Sequence, residues 1–210
     1  MKLYSMTGTC ALSVNIALEW MGQPFEVELL PRGDNRKQAY LTVNSRGKVP
    51  TVMLDNGIVL TEAAAILTWL IDTYPDAALG ATSEQPLSRF AIAEALSYLT
   101  SDVHAAFGPF FGPEHYSNDK RQYSALQEKS LEQVAMHLSS LDDMLSEHPY
   151  MLAAGRSVAD AYLYVLTRWA DYLPDGIRPF PRLASFRIRM ESDEAVQRAL
   201  GAQKLAPVGG

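Results

Sequence analysis

Cys10 is the one cysteine in a chain of 210 residues, and it stands where a first helix is expected to begin. Thr7-Gly8-Thr9-Cys10 reads as a polar turn, after which Val14, Ala17, Leu18 and Met21 recur at i, i+3, i+4 and i+7 along one helix face. A thiol at a helix N-terminus meets unpaired N–H groups and the positive end of the dipole. Both stabilise its anion, which is the reactive form. The same position also suits an inert, buried small hydrophobe. Ser13 occupies the second position of a Cys-x-x-Cys pair, so any disulfide must be mixed, with a small thiol or another protein.

Other residues offer chemistry of their own. Val49-Pro50 opens a strand after Gly47-Lys48. A cis bond there would leave the Val49 backbone outside the sheet ladder and open to an extended peptide, whereas a trans bond would make it an ordinary strand start. Thr61-Glu62-Ala63-Ala64-Ala65-Ile66 opens a helix directly after a strand. Its N-terminus suits a carboxylate and Glu62 suits an ammonium, so together they can hold an amino-acid moiety. The plainer reading makes Glu62 a first-turn residue favoured by the dipole. His104 sits on a helix among Leu96, Leu99, Val103 and Phe107, where a structural histidine is the commoner case. Tyr4, Ser5 and Ser13 are further candidates to activate a thiol, or else are satisfied locally. His115, His137 and His148 have neither metal-ligand spacing nor a cysteine or carboxylate cluster, and no metal is expected.

The elements that must position these residues fall into two halves. Lys2 to Ser5, Phe25 to Leu29, Thr51 to Leu54 and Ile58 to Leu60 read as strands, the last two joined by an Asp55-Asn56-Gly57 turn. Gly22 falls where a helix C′ glycine is expected, and Asp34 to Tyr40 is ambiguous. Thr61 is the expected N-cap of a helix from Glu62 to about Tyr74. The order β-α-β-(α)-β-β-α predicts an α/β domain with a mixed sheet. Beyond a Pro-, Gly- and Ser-containing stretch the signals are helical. Leu131, Val134, Leu138, Leu141 and Leu145 step by three and four. Ser157-Val158-Ala159-Asp160 has capping-box spacing before Ala161 to Trp169, and Pro181 to Met190 reads as a helix. Ala206 to Gly210 reads as a loose tail.

Composition bounds the partners. The 18 Lys and Arg against 24 Asp and Glu give a net charge of −6, which argues against nucleic acid as a main ligand. The N-terminus lacks the apolar run of a signal peptide, and no stretch approaches the ~18 apolar residues of a membrane span. With a single cysteine, these features point to the cytoplasm.

Taken in order, Lys2-Leu3-Tyr4, Gly8-Thr9-Cys10-Ala11-Leu12-Ser13, Asn44 to Thr51, Leu60 to Ile66 and Ser157 to Tyr162 resemble the cytosolic glutathione S-transferases over nearly the whole chain. Cys10, with His104 ahead of Phe107-Gly108-Pro109, is similar to the bacterial beta class. The resemblance implies a thioredoxin-like α/β N-terminal domain over residues 1–77, a linker over 78–86 and an all-α C-terminal domain over 87–210. It implies an enzyme that conjugates glutathione to hydrophobic electrophiles or exchanges thiols with disulfides, as a homodimer, with glutathione as co-substrate. Cys10 would face the glutathione sulfur and His104 would approach the thiol from the helical domain. Val49, ahead of cis Pro50, would pair with the cysteinyl backbone. Glu62 and the Ala63 amide would hold the γ-glutamyl end, helped by Asp102 reaching the glutamyl group of the neighbouring subunit. Ser157 and Asp160 would cap a buried helix. Arg32, Arg36 and Lys37 are the candidates for the glycyl carboxylate. Phe107, Phe110, Phe111, Tyr116 and Tyr164 would meet the co-substrate, or else pack the core. The chain departs from the family at Ala63, where serine is usual, at Ser97, where the beta class often has asparagine, and at Ala105, where it often has lysine. These losses of polar anchors keep a second reading open, a non-catalytic binding or regulatory protein on the same fold.

Overall fold

In the computed structural model, which describes residues 1–80 and 87–208, four short strands form one mixed sheet in the order β2-β1-β3-β4. They are β1 (Lys2–Ser5), β2 (Glu26–Leu29), β3 (Thr51–Met53) and β4 (Val59–Thr61). β1 runs parallel to β2 and antiparallel to β3, so Leu3 sits between Val27 and Val52. Leu3 and Val52 are fully buried. The crossover from β1 to β2 is α1 (Ala11–Met21), ended by Gly22 at φ 72, whose amide bonds the Leu18 carbonyl. Glycine takes this left-handed position without a Cβ clash. The Asn-Gly hairpin closes as expected, with Leu54 N–H donating to the Ile58 carbonyl at 2.8 Å. The ambiguous stretch before it forms a 3-10 turn, Asp34–Arg36, and a four-residue helix, α2 (Gln38–Leu41).

α3 (Ala63–Thr73) starts one residue later than expected. Thr61 ends β4 and caps nothing; Glu62 is the N-cap, at φ 67 and ψ 115, with no side-chain capping bond. The tight strand-to-helix corner requires this backbone, and a residue with a Cβ held there carries strain of about 1–3 kcal/mol.

Of the linker expected over 78–86, residues 81–86 lie outside the described residues. The stretch before them is tied down, since the Leu79 carbonyl accepts from Val158 N–H at 3.1 Å. The rest is helical: α4 (Ser88–Tyr98), α5 (His104–Ala106), α6 (Gly108–Phe111), α7 (Tyr123–Met144), α8 (Val158–Trp169), α9 (Pro181–Glu191) and α10 (Glu194–Ala202). A π turn, Leu99–Val103, joins α4 to α5. α8 is the central element: eleven of its twelve residues are buried, and it packs against α1 of the sheet domain. Its capping box forms. Ser157 Oγ accepts from Ala159 N–H, while the buried Asp160 carboxylate accepts from the Ser157 and Met151 amides, each at 2.8 Å.

α10 forms over a stretch given no reading from the sequence and buries Ala195, Val196, Ala199 and Leu200. One expectation changes in this half. The tail is not loose as far as residue 208: the Ala206 carbonyl accepts from Arg168, and Val208 N–H donates to Glu191. The rest of the expected tail, 209–210, lies outside the described residues.

Candidate active site

A cleft of 1020 Å³ opens between the sheet and the helices, and Cys10 lies in its floor. The β1–α1 turn places it there as the N-cap of α1. The turn is held from the other half of the chain, because the Trp169 indole N–H donates to the Gly8 carbonyl at 2.9 Å. Cys10 Sγ donates to the Val49 carbonyl at 3.8 Å, and Tyr162 lines the same cleft.

The electrostatics of the thiol correct one expectation. Burial pushes the Cys10 thiol up to about 11, against smaller downward pulls from the Tyr162 hydroxyl, its own backbone and Lys48. Desolvation of the anion outweighs the helix N-terminus, and Cys10 carries its proton at neutral pH. Tyr4, Ser5 and Ser13 do not act on it. Tyr4 packs on Tyr40, Ser5 is buried in β1, and Ser13 Oγ donates to the Cys10 carbonyl at 2.7 Å.

The Val49–Pro50 bond is cis. Among the described residues the Val49 amide has no hydrogen-bond partner, so its N–H stays open on the cleft wall. Beneath it, Asn44 and Tyr40 fasten the loop by donating to the Lys48 carbonyl at 2.8 and 2.7 Å.

Glu62 and Ala63 line the same wall. The strained Glu62 backbone turns the first amides of α3 toward the cleft, where they lack helical carbonyl partners. One Glu62 oxygen accepts from Arg46 at 2.7 Å, and both side chains are exposed. Of the basic residues weighed for an anion, Arg32 lines the cleft, while Arg36 and Lys37 do not; Lys37 pairs with Asp34 at 2.7 Å. Lys48, not singled out from the sequence, lines the cleft as well.

His104 enters from the opposite wall, at the end of the π turn. Its Nδ1 lies 2.6 Å from the Tyr162 hydroxyl and its ring meets Trp169 edge-on at 4.8 Å. Burial, and to a lesser extent Lys48, lowers its pKa to about 4, so the imidazole is neutral. Burial raises the Tyr162 hydroxyl as well, and it stays protonated. Asp102, two residues before His104, is exposed, accepts from Ser101 Oγ, and does not line the cleft.

The aromatic wall also differs from expectation. Phe107 and Tyr164 are fully buried, and Tyr164 donates to the buried Glu191 at 2.9 Å. Of the five rings proposed, Phe111 alone lines the cleft, joined by Trp169 and Tyr172. Phe111 is 47% exposed and Tyr172 55%, and their rings meet edge-on at 5.3 Å.

Tyr162, Trp169 and Tyr172 are the functional candidates that sequence reasoning missed. The only signal for them was their place on and just after a helix recognised as buried. Among the described residues no group of three His, Cys, Asp or Glu side chains is placed to hold a metal, and no helix is long and apolar enough to cross a membrane.

A family model for the N-terminal domain of glutathione S-transferases matches residues 3–78. The chain is 32% identical to glutathione S-transferase GstA of Escherichia coli O157:H7, with 98% of this chain and 100% of the relative covered. A bacterial beta-class glutathione S-transferase structure from Sphingomonas chungbukensis superposes with a TM-score of 0.86 at 33% identity, over 98% of this chain and 100% of that one. A sphingomonad glutathione S-transferase solved in complex with glutathione matches with the same TM-score, identity and coverage.

Proposed function

Because the chain belongs to the glutathione S-transferase family and is similar to its bacterial beta class, we propose that it binds glutathione in this cleft and conjugates it to a hydrophobic electrophile. The observation that carries the assignment of the site is the Val49 backbone. Its amide is open, and its carbonyl accepts the Cys10 thiol at 3.8 Å. A peptide laid antiparallel on Val49 brings its cysteinyl sulfur to Cys10.

The neighbouring groups fit the rest of the ligand. Glu62 faces the γ-glutamyl ammonium, and the Ala63 amide at the N-terminus of α3 faces the carboxylate. Arg32 and Lys48, with no ion pair among the described residues, suit the glycyl carboxylate. Phe111, Trp169 and Tyr172 offer ring faces to an apolar co-substrate beside the sulfur.

Since burial keeps the Cys10 thiol protonated, its part in conjugation is to donate a hydrogen bond to the glutathione thiolate. That thiolate attacks the electrophilic carbon, a carbon–sulfur bond forms and the leaving group departs. Exchange with a disulfide is the second mode. There Cys10 itself becomes glutathionylated and a second glutathione thiolate releases it. Cys10 is free and partly exposed on the cleft, which this mode requires.

Asp102 is read as a contact for the partner subunit's ligand in a homodimer. Leu87, at the start of α4, and Phe90, within it, are exposed apolar residues that support such an assembly. A cytoplasmic setting agrees with a single unpaired cysteine.

The test is kinetic. Wild type and Cys10→Ala are assayed with glutathione and a chromogenic aryl halide, and separately with a mixed-disulfide substrate. The expected result is loss of disulfide exchange in the variant with a smaller loss of conjugation. Equal activity of both proteins in both assays would remove Cys10 from the mechanism. A wild type inactive in both, with no glutathione binding at millimolar concentration, would favour the non-catalytic binding protein.

A further inference from the structure

Beyond α10 the chain turns back as a strap, Gln203 to Val208, and brings Leu205 to the cleft. The reversal is a Schellman closure. Lys204 takes φ 54, and Leu205 N–H donates to the Leu200 carbonyl at 2.9 Å. The strap is fastened at both ends. Gln203 is fully buried: its carbonyl accepts from Thr7 Oγ1 at 3.2 Å, and its side-chain amide donates to Asn15 of α1 at 3.3 Å. At the other end Arg168 donates to the Ala206 carbonyl, and Val208 N–H donates to Glu191, each at 2.9 Å. The Tyr164 hydroxyl joins those two anchors, accepting from Arg168 at 3.1 Å and donating to Glu191 at 2.9 Å. Lys204, Ala206 and Pro207 are exposed, so the strap owes its place to these bonds and not to burial of its own.

A side pocket of 310 Å³ adjoins the cleft, with Arg168 and Asp171 in its lining. Gly8, Thr9, Trp169, Tyr172 and Leu205 line both cavities and form the wall between them. Trp169 is fixed by its bond to Gly8 and its packing on His104, and Tyr172 by ring contacts with Phe110 and Phe111. Leu205 is the large side chain of that wall that hangs on the strap. The charges of the side pocket are already paired, Arg168 with Glu191 at 3.4 Å and Asp171 with Arg187 at 2.9 Å. An ionic group entering there would have to break one of these pairs, so the space suits an uncharged, ring-sized extension.

We propose that Leu205 is a specificity-determining residue that limits the co-substrate to a single ring by walling off the side pocket, and that Arg168 is the positioning residue that holds it there through the strap. This rests on the reading of the cleft as the site where glutathione is conjugated to an apolar electrophile. Trimming Leu205 joins the two cavities. A fused second ring then lies in the side pocket while the reacting carbon stays at the sulfur.

The test compares rates with glutathione and either a chlorodinitrobenzene or the corresponding chlorodinitronaphthalene. Both halides lose chloride to the same thiolate attack, so the ratio of their kcat/KM values reports fit. The proteins are wild type, Leu205→Ala, Leu205→Phe, Arg168→Lys and the double variant of Arg168→Lys with Leu205→Ala. Leu205→Ala should raise the naphthalene-to-benzene ratio by about tenfold, mainly through KM for the halide, with KM for glutathione unchanged. Leu205→Phe should lower the ratio. Arg168→Lys keeps a positive charge beside Glu191, but one ammonium does not span Tyr164 and the Ala206 carbonyl as the guanidinium fork does. It should raise the ratio part of the way, and the double variant should match Leu205→Ala. An unmoved ratio in Leu205→Ala would overturn the wall. An Arg168→Lys effect that adds in full to that of Leu205→Ala would overturn the positioning role.

Hydrogen exchange reads the clamp without catalysis. The Val208 amide should exchange slowly in wild type and faster in Arg168→Lys, whose fold is checked by thermal melting. A Val208 amide that exchanges at the unfolded rate in wild type would overturn the strap. Leu205→Ala changes a partly exposed side chain, so the wall is tested even where Arg168→Lys melts early. A wild type inactive with both halides removes the conjugation reading, and the size limit falls with it. An active wild type with an unmoved ratio in Leu205→Ala removes the size limit alone.

Discussion

Burial decides the chemistry at the level of single residues. A helix N-terminus is worth a few tenths to one or two kcal/mol to an anion, and enclosing a thiol or imidazole costs more. Cys10 is therefore pushed up to about 11 and His104 down to about 4, and both are neutral when the site rests. The sign of the histidine effect gives a stability prediction. The unfolded chain binds the His104 proton near the ordinary value of about 6.5, above the folded value. The stability gained from a neutral His104 is complete above pH 6.5 and is lost as pH falls through 4. Urea titrations should show wild type losing on the order of 2–3 kcal/mol more than His104→Phe between pH 7 and 4. Trp169→Phe should keep the packing on His104 but release the Gly8 carbonyl. A loss of about 1 kcal/mol and weakened activity are expected, read by thermal melting and the aryl halide assay.

Elements set where those residues point, and two junctions matter most. The strand-to-helix corner holds Glu62 at φ 67, a strain kept at a ligand-facing position. Glu62→Gly should relieve it. Thermal stability should rise or hold, because the Arg46 pair it removes is exposed, while glutathione affinity measured by calorimetry should fall. The capping box is the opposite case, a buried junction remote from chemistry. Asp160→Ala orphans the Ser157 and Met151 amides and should cost about 2–5 kcal/mol, with activity per folded molecule unchanged.

These junctions also mark how far the sequence could be read. Ser157 and Asp160 are three apart and their bond is local, so spacing sufficed. The Asn-Gly hairpin and Gly22 were legible for the same reason. The Thr61 cap was misplaced because the sequence pattern does not show a positive φ at a glutamate. The π turn ahead of His104 carries no local signal either, since Leu99 to Val103 reads as ordinary helix.

The whole molecule works as two halves clamped across one cleft, and the clamp is polar at its edges. Trp20 and Arg156 both donate to Asp193, at 3.0 and 2.6 Å, and the Arg156 guanidinium stacks on the Trp20 ring at 4.3 Å. The same carboxylate caps α10. Asp193→Ala should lower stability by about 2–3 kcal/mol and reduce glutathione conjugation more than a remote destabilising change of equal size, because Trp20 lies on α1 behind Cys10. Comparing its activity with Asp160→Ala at matched folded fractions checks this.

At this scale the sequence was most informative, because the order of its motifs along the chain pointed to a two-part architecture that no single motif carried. It was least informative about pairs brought together from opposite halves. His104 with Tyr162, and Gly8 with Trp169, are contacts of the folded state alone.

The central claim is that this cleft binds glutathione with its sulfur at Cys10. A crystal structure of the protein with glutathione tests it most directly. The account predicts the cysteinyl backbone paired with Val49, the glutamyl end at Glu62 and Ala63, and the sulfur in contact with Cys10 Sγ or bonded to it. Glutathione bound elsewhere, or an empty cleft at millimolar concentration, would contradict it.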